Sequence, residues 1–465
     1  MHPETRKITD IIVKAAAKAR RETKNEPGHP HAQKVVRWPL NCTIGPGLEG
    51  AIACESKVGY VNGAKGWLVY RGYDIFDLCA YSTYEEVSYL LLHGSLPTAQ
   101  ELEEYKQKLI QYRYLNKTLR ILMGFPVEEM NSMAALRMGT LLMRQEFTDR
   151  DKESGRPAID DAISADEDSI PMETLPTGEE HAIYEFSSKK RAKKRKMSGE
   201  KASGLEACYH LIAGVPTITA AIARVRQGNM AIEPDPELSH AANLLYMMNG
   251  TRPTPLQERI MDIALILHAD HGMNASTFAS MVVASTLSDI YFSVGSGIAA
   301  LSGPLHGGAN EQVLHTLKEI GSPEKVKAWV RSASRESRKI PGFGHRVYKA
   351  YDPRARVLGP MAAYRIKKFN DDNLRLFTVA QELEKQVHDE FGKEKKIFPN
   401  VDFYSGIVYS RMGIDPAMFT PLFAVSRVAG WTARVLEYLQ KNRIFRPRAM
   451  YTGDFEQEYV PLEQR

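Results

Sequence analysis

Apolar residues recur at helical spacing along most of the chain. In residues 255–271 and again in residues 374–391 they fall three or four positions apart, so each segment has one apolar face. Ser82 and Thr83 stand just before two glutamates and an apolar run, which is typical of a helix start. Because strand-like alternation with helices is absent, the pattern predicts a mainly α-helical fold.

Two segments depart from this pattern. Between Tyr60 and Tyr70, apolar residues surround Asn62-Gly63, which predicts a small β-hairpin with a tight turn. Residues 272–305 contain a single charged residue, Asp289, and are rich in Gly, Ser, Thr and Ala. This composition predicts buried helices around a site and argues against a membrane span.

Two further regions carry little apolar patterning. The first 46 residues end in a Pro/Gly-rich stretch, which predicts an arm leading into the body of the protein. Residues 147–203 begin acidic and end basic with few apolar residues, which predicts a mobile insertion. Its basic run, residues 189–196, is most simply a solvated face, but a scaffold protein would use such a run to bind nucleic acid or a membrane surface.

The composition is that of an ordinary soluble globular protein. Of 465 residues, 43% are hydrophobic and 25% are charged. The formal charge of +5 is small for this length, gives no argument for nucleic acid, and suits an anionic small-molecule substrate. The four cysteines lack paired spacing, which indicates a reducing compartment. Residues 4–26 are basic, but their acidic residues argue against a transit peptide, so we expect a cytoplasmic protein.

Four short segments concentrate histidine, glycine, arginine and acidic residues. They are residues 268–277, 302–310, 341–354 and 400–406. His306 is flanked by Gly-Pro two residues earlier and by Gly-Gly, and His345 follows a glycine. Glycine lets a ligand approach the backbone closely, and a fixed imidazole can donate a hydrogen bond to a carbonyl oxygen. A single loop histidine is, however, more often ordinary than catalytic.

Asp402 and His271 each have two interpretations. Asp402 has apolar and aromatic neighbours, which would raise its pKa and suit a general base, but an aspartate also serves as a helix N-cap. His271 stands one turn beyond Leu267 on an apolar stripe, as a buried core histidine would. With His268 and Asp270 it also has spacing that metal sites use, but no further ligand set is evident, and we predict no metal site.

Three arginines lie beside proline or in apolar surroundings, namely Arg354, Arg427 and Arg446. The planar guanidinium group suits carboxylates, so the three predict an anionic ligand. Each is equally consistent with a structural ion pair.

In their order along the chain, these segments resemble the citrate synthase family. The resemblance runs from about residue 47 to residue 453 and is interrupted at 147–203. The matching motifs are residues 70–75, 90–97, 269–277, 302–310, 342–348, 400–406 and 418–431. Each motif is moderately specific, and their ordered set is much more so.

The resemblance implies a reaction without a cofactor, in which acetyl-CoA condenses with oxaloacetate through an enol or enolate and citryl-CoA is hydrolysed to citrate and CoA. His306 would hydrogen-bond the thioester carbonyl group of acetyl-CoA. Asp402 would remove a proton from the acetyl methyl group, and His345 would hydrogen-bond the keto oxygen of oxaloacetate. The other implied contacts are His271, Arg354, Arg427 and a neighbouring subunit's Arg446 for oxaloacetate, and Ile340, Pro341, Gly342, Phe343, Gly344 and Lys349 for CoA.

The resemblance also implies a two-domain helical fold in a homodimer that shares its active sites and binds neither nucleic acid nor membrane. The implied parts are an arm (1–46), a large helical domain (47–307), a small domain with CoA-binding and catalytic elements (308–414), and a return to the large domain that reaches the partner (415–465).

Three positions depart from the family pattern. Gly272 stands where many relatives have Glu, residues 131–133 read Asn-Ser-Met where His-Pro-Met is common, and Arg434 stands where His is frequent. None of them is an implied catalytic residue, so they put only the finer substrate contacts in question.

Two alternatives remain open on this basis. One is 2-methylcitrate synthase, which uses propionyl-CoA with the same catalytic residues, although residues 345–348 and 400–406 look more like the citrate branch. The other is a non-catalytic binding or scaffold protein that uses the basic segment 189–196, against which the intact catalytic positions argue.

Overall fold

The computed structural model describes residues 2–24, 46–48, 51–146, 197–369, 374–392, 397–447 and 452–465. In these residues the chain is mainly α-helical, as predicted. The helices before the predicted insertion are α1 (Pro3–Glu22), α2 (Ile75–Tyr81), α3 (Tyr84–His93), α4 (Ala99–Tyr112), α5 (Asn116–Leu122) and α6 (Ser132–Leu142).

The helices from Met197 onwards fall into three runs. The first is α7 (Met197–Arg226), α8 (His240–Asn249), α9 (Pro255–His268), α10 (Ala275–Ser285) and α11 (Ile290–Leu301). The second is α12 (Ala309–Ile320), α13 (Pro323–Arg335), α14 (Pro353–Phe369), α15 (Leu374–Val387) and α16 (Val401–Ser410). The last is α17 (Phe419–Leu439), and short helical turns occur at Pro46–Leu48, His388–Gly392, Pro416–Met418 and Leu462–Gln464.

The predicted hairpin is present and extends into a three-stranded antiparallel sheet. Its strands are β1 (Gly59–Asn62), β2 (Trp67–Tyr70) and β3 (Tyr73–Asp74), in that order. The prediction of a tight Asn62-Gly63 turn is wrong, because Asn62 is the last residue of β1 and pairs with Trp67 across a four-residue loop. The Asn62 side chain accepts a hydrogen bond from the Lys65 amide at 2.9 Å, which stabilises the wider loop.

Helix ends follow the predicted signals at some points and depart from them at others. Thr83 caps α3 as predicted, accepting a hydrogen bond from the Glu86 amide. Helix α9 ends at His268, however, so the prediction that His271 continues its apolar stripe is wrong. The Tyr70 hydroxyl lies 3.1 Å from the Ile266 carbonyl oxygen and 2.9 Å from that of Asp270. This tyrosine therefore satisfies carbonyl groups where the helix would otherwise continue.

The core is built around α7, which packs against α4, α6, α8 and α17. Residues Gly204–Arg226 of this helix are long and apolar enough to cross a membrane. However, 89% of the 18-residue apolar stretch within them is buried inside the protein. Packing on all sides accounts for an apolar helix of this length in a globular core. The first residues of α7 fall inside the predicted insertion 147–203. The remainder of that insertion, with the basic run 189–196, lies outside the described residues.

Helices α12 to α16 pack mainly on one another, through the pairs α12 with α16, α14 with α16, and α13 with α15. They come from the stretch for which a small domain, 308–414, is predicted, and those boundaries stay a prediction. Helix α17 then runs back through the core, where it contacts α3, α7, α9 and α10. Of the predicted site residues, His271, His306 and His345 lie on loops or turns. Arg354, Asp402 and Arg427 lie on α14, α16 and α17.

Candidate active site

His306 lies on the turn between α11 and α12. Its amide and that of Gly307 both donate to the Gly303 carbonyl oxygen at 2.9 Å, which makes the turn tight. A Cβ atom at Gly307 would stand 2.0 Å from the Leu301 carbonyl oxygen, so only glycine fits there.

The His306 ring is held by the first turn of α10. Its Nε2 atom accepts a hydrogen bond from the Ser276 amide at 3.2 Å and lies 2.8 Å from the Ser276 hydroxyl. Because Nε2 is an acceptor, a neutral ring carries its proton on Nδ1. Burial and the nearby Arg427 lower the pKa of His306 to about 4, so the ring is neutral near pH 7.

His345 has the opposite tautomer. Its Nδ1 atom accepts hydrogen bonds from the amides of Val347 and Tyr348 at 3.0 and 3.1 Å. The proton of the neutral ring is therefore on Nε2. Burial and Arg354 lower the pKa of His345 to about 4. Both histidines are thus neutral, each with one ring nitrogen already held and the other able to donate.

Asp402 lies in the first turn of α16 but does not cap it. Asn400 is the N-cap and accepts a hydrogen bond from the Asp402 amide at 3.0 Å, so the N-cap interpretation of Asp402 is wrong. Burial raises the pKa of the Asp402 carboxyl group to about 6, although Arg354 and Arg427 oppose the shift. The side chain keeps some solvent contact, which a base that meets a substrate requires.

The loop before His345 is tied to the start of α16. The Gly344 amide donates to the Phe398 carbonyl oxygen, and the Asn400 amide donates to that of Gly342. The Phe343 and Phe403 rings also pack at 4.6 Å. The predicted CoA-binding residues 340–344 therefore connect His345 to Asp402, whereas Lys349 is exposed nearby.

His271 lies in the loop that follows α9 and faces His345. Its Nε2 atom is 3.1 Å from the Tyr348 hydroxyl, and its ring centroid is 5.1 Å from that of His345. The residue is 8% exposed. Burial and Arg354 hold the pKa of His271 well below its ordinary value, so this ring is neutral as well.

Arg354 and Arg427 are two buried cations of the site. Arg354 makes a bidentate ion pair with Asp352, with Nε 3.0 Å from Oδ1 and Nη2 2.7 Å from Oδ2. Burial opposes its ionisation, but Asp352 outweighs burial and the pKa of Arg354 is raised. Arg427 donates from Nε to the His268 carbonyl oxygen. Burial lowers the pKa of Arg427 to about 10, which leaves it charged near neutral pH.

Arg427 has one buried donor without a partner. Its Nη2 atom makes no hydrogen bond within the described residues. A buried charged donor left unpaired costs free energy, so this nitrogen marks a place where an anionic ligand would be stabilised.

The predicted residues share one electrostatic environment. Arg427 shifts the pKa values of His306, His271 and Asp402 downward, and Arg354 does the same for His345, His271 and Asp402. At Asp402 burial outweighs both arginines, so the net shift is upward. The structure therefore brings six of the predicted catalytic and oxaloacetate-binding residues together.

Arg446 is the predicted oxaloacetate contact that one protomer does not bring to this cluster. It is exposed and follows Phe445, whose amide donates to the Ser285 hydroxyl at the end of α10. Within the part of the chain that the structure describes, no group of three or more His, Cys, Asp or Glu residues is arranged to hold a metal ion.

Three residues with a clear part in this geometry were not assigned a role from the sequence. They are Ser276, Tyr348 and Asp352, which hold His306, His271 and Arg354 respectively. Asp352 stands two residues before Arg354, and this short spacing is the one local signal for such a pair. The partners of Ser276 and Tyr348 are 30 and 77 residues away, so no local pattern indicates them.

Comparison with known proteins places this geometry in context. The family model described as "Citrate synthase, C-terminal domain" matches residues 47–448. A citrate synthase of Haloferax volcanii is 40% identical over 90% of this chain and 98% of its own length. The crystal structure of citrate synthase from Pyrobaculum aerophilum matches with a TM-score of 0.78 and 40% identity, covering 93% of this chain and all of that one.

A third similar structure contains ligands. It is a ternary complex of carboxymethyl coenzyme A and oxaloacetate with citrate synthase from Thermoplasma acidophilum. Its TM-score is 0.76 at 31% identity, and the match covers 91% of this chain and all of that chain.

The helical fold, with its neutral histidines, buried arginines and a carboxyl group of raised pKa, is that of an enzyme of the acyltransferase class. The chain belongs to the citrate synthase family. The resemblance inferred from the sequence is thereby confirmed.

Proposed function

We propose that this chain condenses acetyl-CoA with oxaloacetate and hydrolyses the citryl-CoA that forms, releasing citrate and CoA. One observation carries the assignment of roles. Two neutral histidines, each with one ring nitrogen held as an acceptor, share the fields of two buried arginines with a carboxyl group whose pKa is raised. Such a site can remove a proton from carbon and stabilise the charge that develops on oxygen.

The first step is enolisation of acetyl-CoA. Asp402 takes a proton from the acetyl methyl group, and the electron pair moves towards the thioester oxygen. The His306 Nδ1–H group donates a hydrogen bond to that oxygen, because Nε2 is occupied by the Ser276 amide. A positioned base and a positioned donor typically contribute about 10²–10⁴-fold each to a rate.

The second step forms the carbon–carbon bond. The enol carbon attacks the keto carbon of oxaloacetate, and negative charge develops on the keto oxygen. The Nε2–H group of His345 donates a hydrogen bond to this oxygen, since its Nδ1 atom already accepts hydrogen bonds from two amides. The oxygen then takes up a proton and becomes the hydroxyl group of citryl-CoA, and Asp402 releases the proton that it removed. Water then attacks the thioester carbonyl of citryl-CoA, the C–S bond breaks, and the CoA thiol takes up the proton.

Oxaloacetate is a dianion, which explains the cations around the site. Arg427 offers the unpaired Nη2 donor, while Arg354 supplies a charge fixed by Asp352. His271 lies beside His345 and contributes a neutral donor to the same pocket.

The proposal also covers CoA binding and a contribution from a partner subunit. Residues 340–344 and Lys349 would bind CoA, with the exposed lysine suited to a phosphate group. The partner subunit's Arg446 would complete the oxaloacetate site in a cytoplasmic homodimer. The Thermoplasma acidophilum structure, which holds a CoA analogue and oxaloacetate together, supports this choice of ligands. The reaction needs no cofactor, because acetyl-CoA is a co-substrate.

The test is the rate of thiol release by the purified protein with acetyl-CoA and oxaloacetate. We expect higher kcat/KM with acetyl-CoA than with propionyl-CoA, and kcat lower by at least about 10²-fold in Asp402→Asn. Oxaloacetate should still bind to this variant in calorimetry, because the arginines and His271 are intact. A near-normal kcat in Asp402→Asn would refute its role as the base, and preference for propionyl-CoA would refute the substrate.

A further inference from the structure

One face of α17 holds the loop that carries His271. Arg427, Gly430 and Arg434 stand three and four residues apart, so they project from the same side of the helix. They contact three consecutive residues in the same order, namely the last residue of α9 and the first two residues after it. Arg427 donates to the His268 carbonyl oxygen, Gly430 lies against Ala269, and Arg434 pairs with Asp270.

Asp270 and Arg434 form a buried, bidentate ion pair. Arg434 Nε lies 2.7 Å from Asp270 Oδ1, and Arg434 Nη2 lies 2.7 Å from Oδ2. The Asp270 side chain is 0% exposed and the Arg434 side chain is 3% exposed. Burial raises the pKa of Asp270, but Arg434 outweighs burial and keeps the carboxyl group ionised. Both carboxylate oxygens are therefore occupied by one guanidinium group.

Arg434 is itself fixed from the other side. Its Nη1 atom donates to the Ser56 hydroxyl at 3.1 Å, and its Nη2 atom lies 3.4 Å from the Gly59 carbonyl oxygen. The arginine therefore links the start of β1 to the loop after α9. Asp270 also holds the loop at its own end, because Oδ2 accepts the Gly272 amide at 3.1 Å.

Two buried guanidinium groups lie near this one carboxylate. Burial lowers the pKa of Arg427, and Asp270 is close enough to offset part of that shift. If Arg434 were absent, the strongest remaining cation for Asp270 would be Arg427. Arg427 would then form an internal ion pair with Asp270. Its Nη2 atom, which has no hydrogen-bond partner in the structure, would no longer be available to a ligand.

We propose that Arg434 is a positioning residue for oxaloacetate. By holding both oxygens of Asp270, it fixes the loop that presents His271 and keeps Asp270 from pairing with Arg427. The guanidinium group of Arg427 thereby stays available to a substrate carboxylate. This inference rests on the proposed function, since it assumes that Arg427 and His271 bind oxaloacetate.

The test compares Arg434→Met with the double variant Asp270→Asn/Arg434→Met in steady-state kinetics. In Arg434→Met we expect KM for oxaloacetate to rise about tenfold or more, because Asp270 captures Arg427, and KM for acetyl-CoA to change less than about twofold. The double variant should regain most of the oxaloacetate affinity, because an amide cannot pair with Arg427 as a carboxylate does. A purely structural role for Arg434 predicts no such recovery.

Arg259→Met is the matched control. Arg259 makes a partly buried ion pair with Asp262 at 2.7 Å and also donates to the carbonyl oxygens of Ser82 and Cys79, none of which is a predicted site residue. Its loss should lower the melting temperature and leave KM for oxaloacetate unchanged. If Arg434→Met does not fold, Arg434→Lys replaces it as the test of the positioning role. A lysine cannot hold both oxygens, so we expect KM for oxaloacetate to rise several-fold at nearly unchanged kcat.

The outcomes are distinguishable. Unchanged KM for oxaloacetate in the folded Arg434 variants, or no recovery in the double variant, overturns the positioning role. If wild-type protein releases no thiol, or if Arg427→Met leaves oxaloacetate affinity unchanged, the proposed function itself has failed.

Discussion

Asp402 combines a functional gain with a cost to folding. Burial raises its pKa from 3.8 to about 6, so the folded state holds a proton that the unfolded state has already released between these pH values. Stability therefore falls as pH rises through this window, and above it the ionised carboxylate costs the fold about 3 kcal/mol. A base with this pKa is, however, better matched to proton removal near neutral pH than an ordinary aspartate.

The pH dependence of the reaction should report this group. We expect log kcat/KM for acetyl-CoA to fall by about one per pH unit below about pH 6, since only ionised Asp402 accepts a proton. His306 and His345, with pKa values of about 4, stay neutral through this range. The measurement is the thiol-release rate from pH 5 to 8 at limiting acetyl-CoA. A flat profile down to pH 5 would contradict the raised pKa.

Helix ends place the reactive side chains. The first turn of α10 binds the His306 ring, and the first turn of α16 contains Asp402. His271 lies three residues after the end of α9. Helix α17 contributes differently, because its interior face supports the loop after α9 along two turns. Rigid elements of this kind hold a site more precisely than loops alone.

Gly430 tests the support that α17 provides. A Cβ atom there would lie 2.2 Å from the Ala269 carbonyl oxygen, which is backbone and cannot rotate away. We expect Gly430→Ala to push the loop from the helix, to raise KM for oxaloacetate at least about fivefold and to cost about 1–3 kcal/mol of stability, as overpacking does. Enzyme kinetics and urea unfolding measure the two effects.

Gly204→Ala in α7 is the control for this substitution. The nearest atom to its Cβ would be the end of the Leu436 side chain at 3.2 Å, which can adjust. Alanine is ordinarily favoured over glycine inside a helix, so this variant should be at least as stable as wild type, with unchanged kinetics. Equal behaviour of the two variants would show that close packing at Gly430 does not matter.

Taken as a single protomer, the molecule brings together six of the seven predicted catalytic and oxaloacetate-binding residues. Arg446 is the exception, and it is exposed on a segment anchored to the end of α10. Under the proposed function a second copy of the chain would supply the seventh residue, because symmetric dimers share surfaces reciprocally.

Subunit complementation tests this arrangement. We expect Arg446→Ala and Asp402→Asn homodimers each to have low activity. In a mixed dimer, one site carries both defects and the other carries neither, so co-refolding the two variants should restore up to about a quarter of wild-type activity by random assortment.

Arg443→Ala, three residues earlier and also exposed, is the control for loss of a surface charge and should be fully active alone. Activity of the co-refolded mixture no higher than the mean of the two parents would place Arg446 in its own subunit's site or outside any site.

Local pattern determined the class of fold and pointed to the site segments. The apolar stripes of residues 255–271 and 374–391 predict helices because their period is a property of neighbouring residues. The glycines around His306 are likewise a local feature, and they predict close approach of a ligand to the backbone. The ordered motifs indicated the family, which the comparisons confirm.

Only the tertiary structure decided which tautomers the histidines adopt, where α9 ends, and what Arg434 does. Each depends on a partner far along the chain: Ser276 is 30 residues from His306, Arg434 is 164 from Asp270, and Tyr70 is 200 from Asp270. The raised pKa of Asp402 likewise requires the packing around α16. Periodicity describes which face of an element is buried. The hydrogen bonds and charges that tune a site come from whichever distant elements the fold packs against that face.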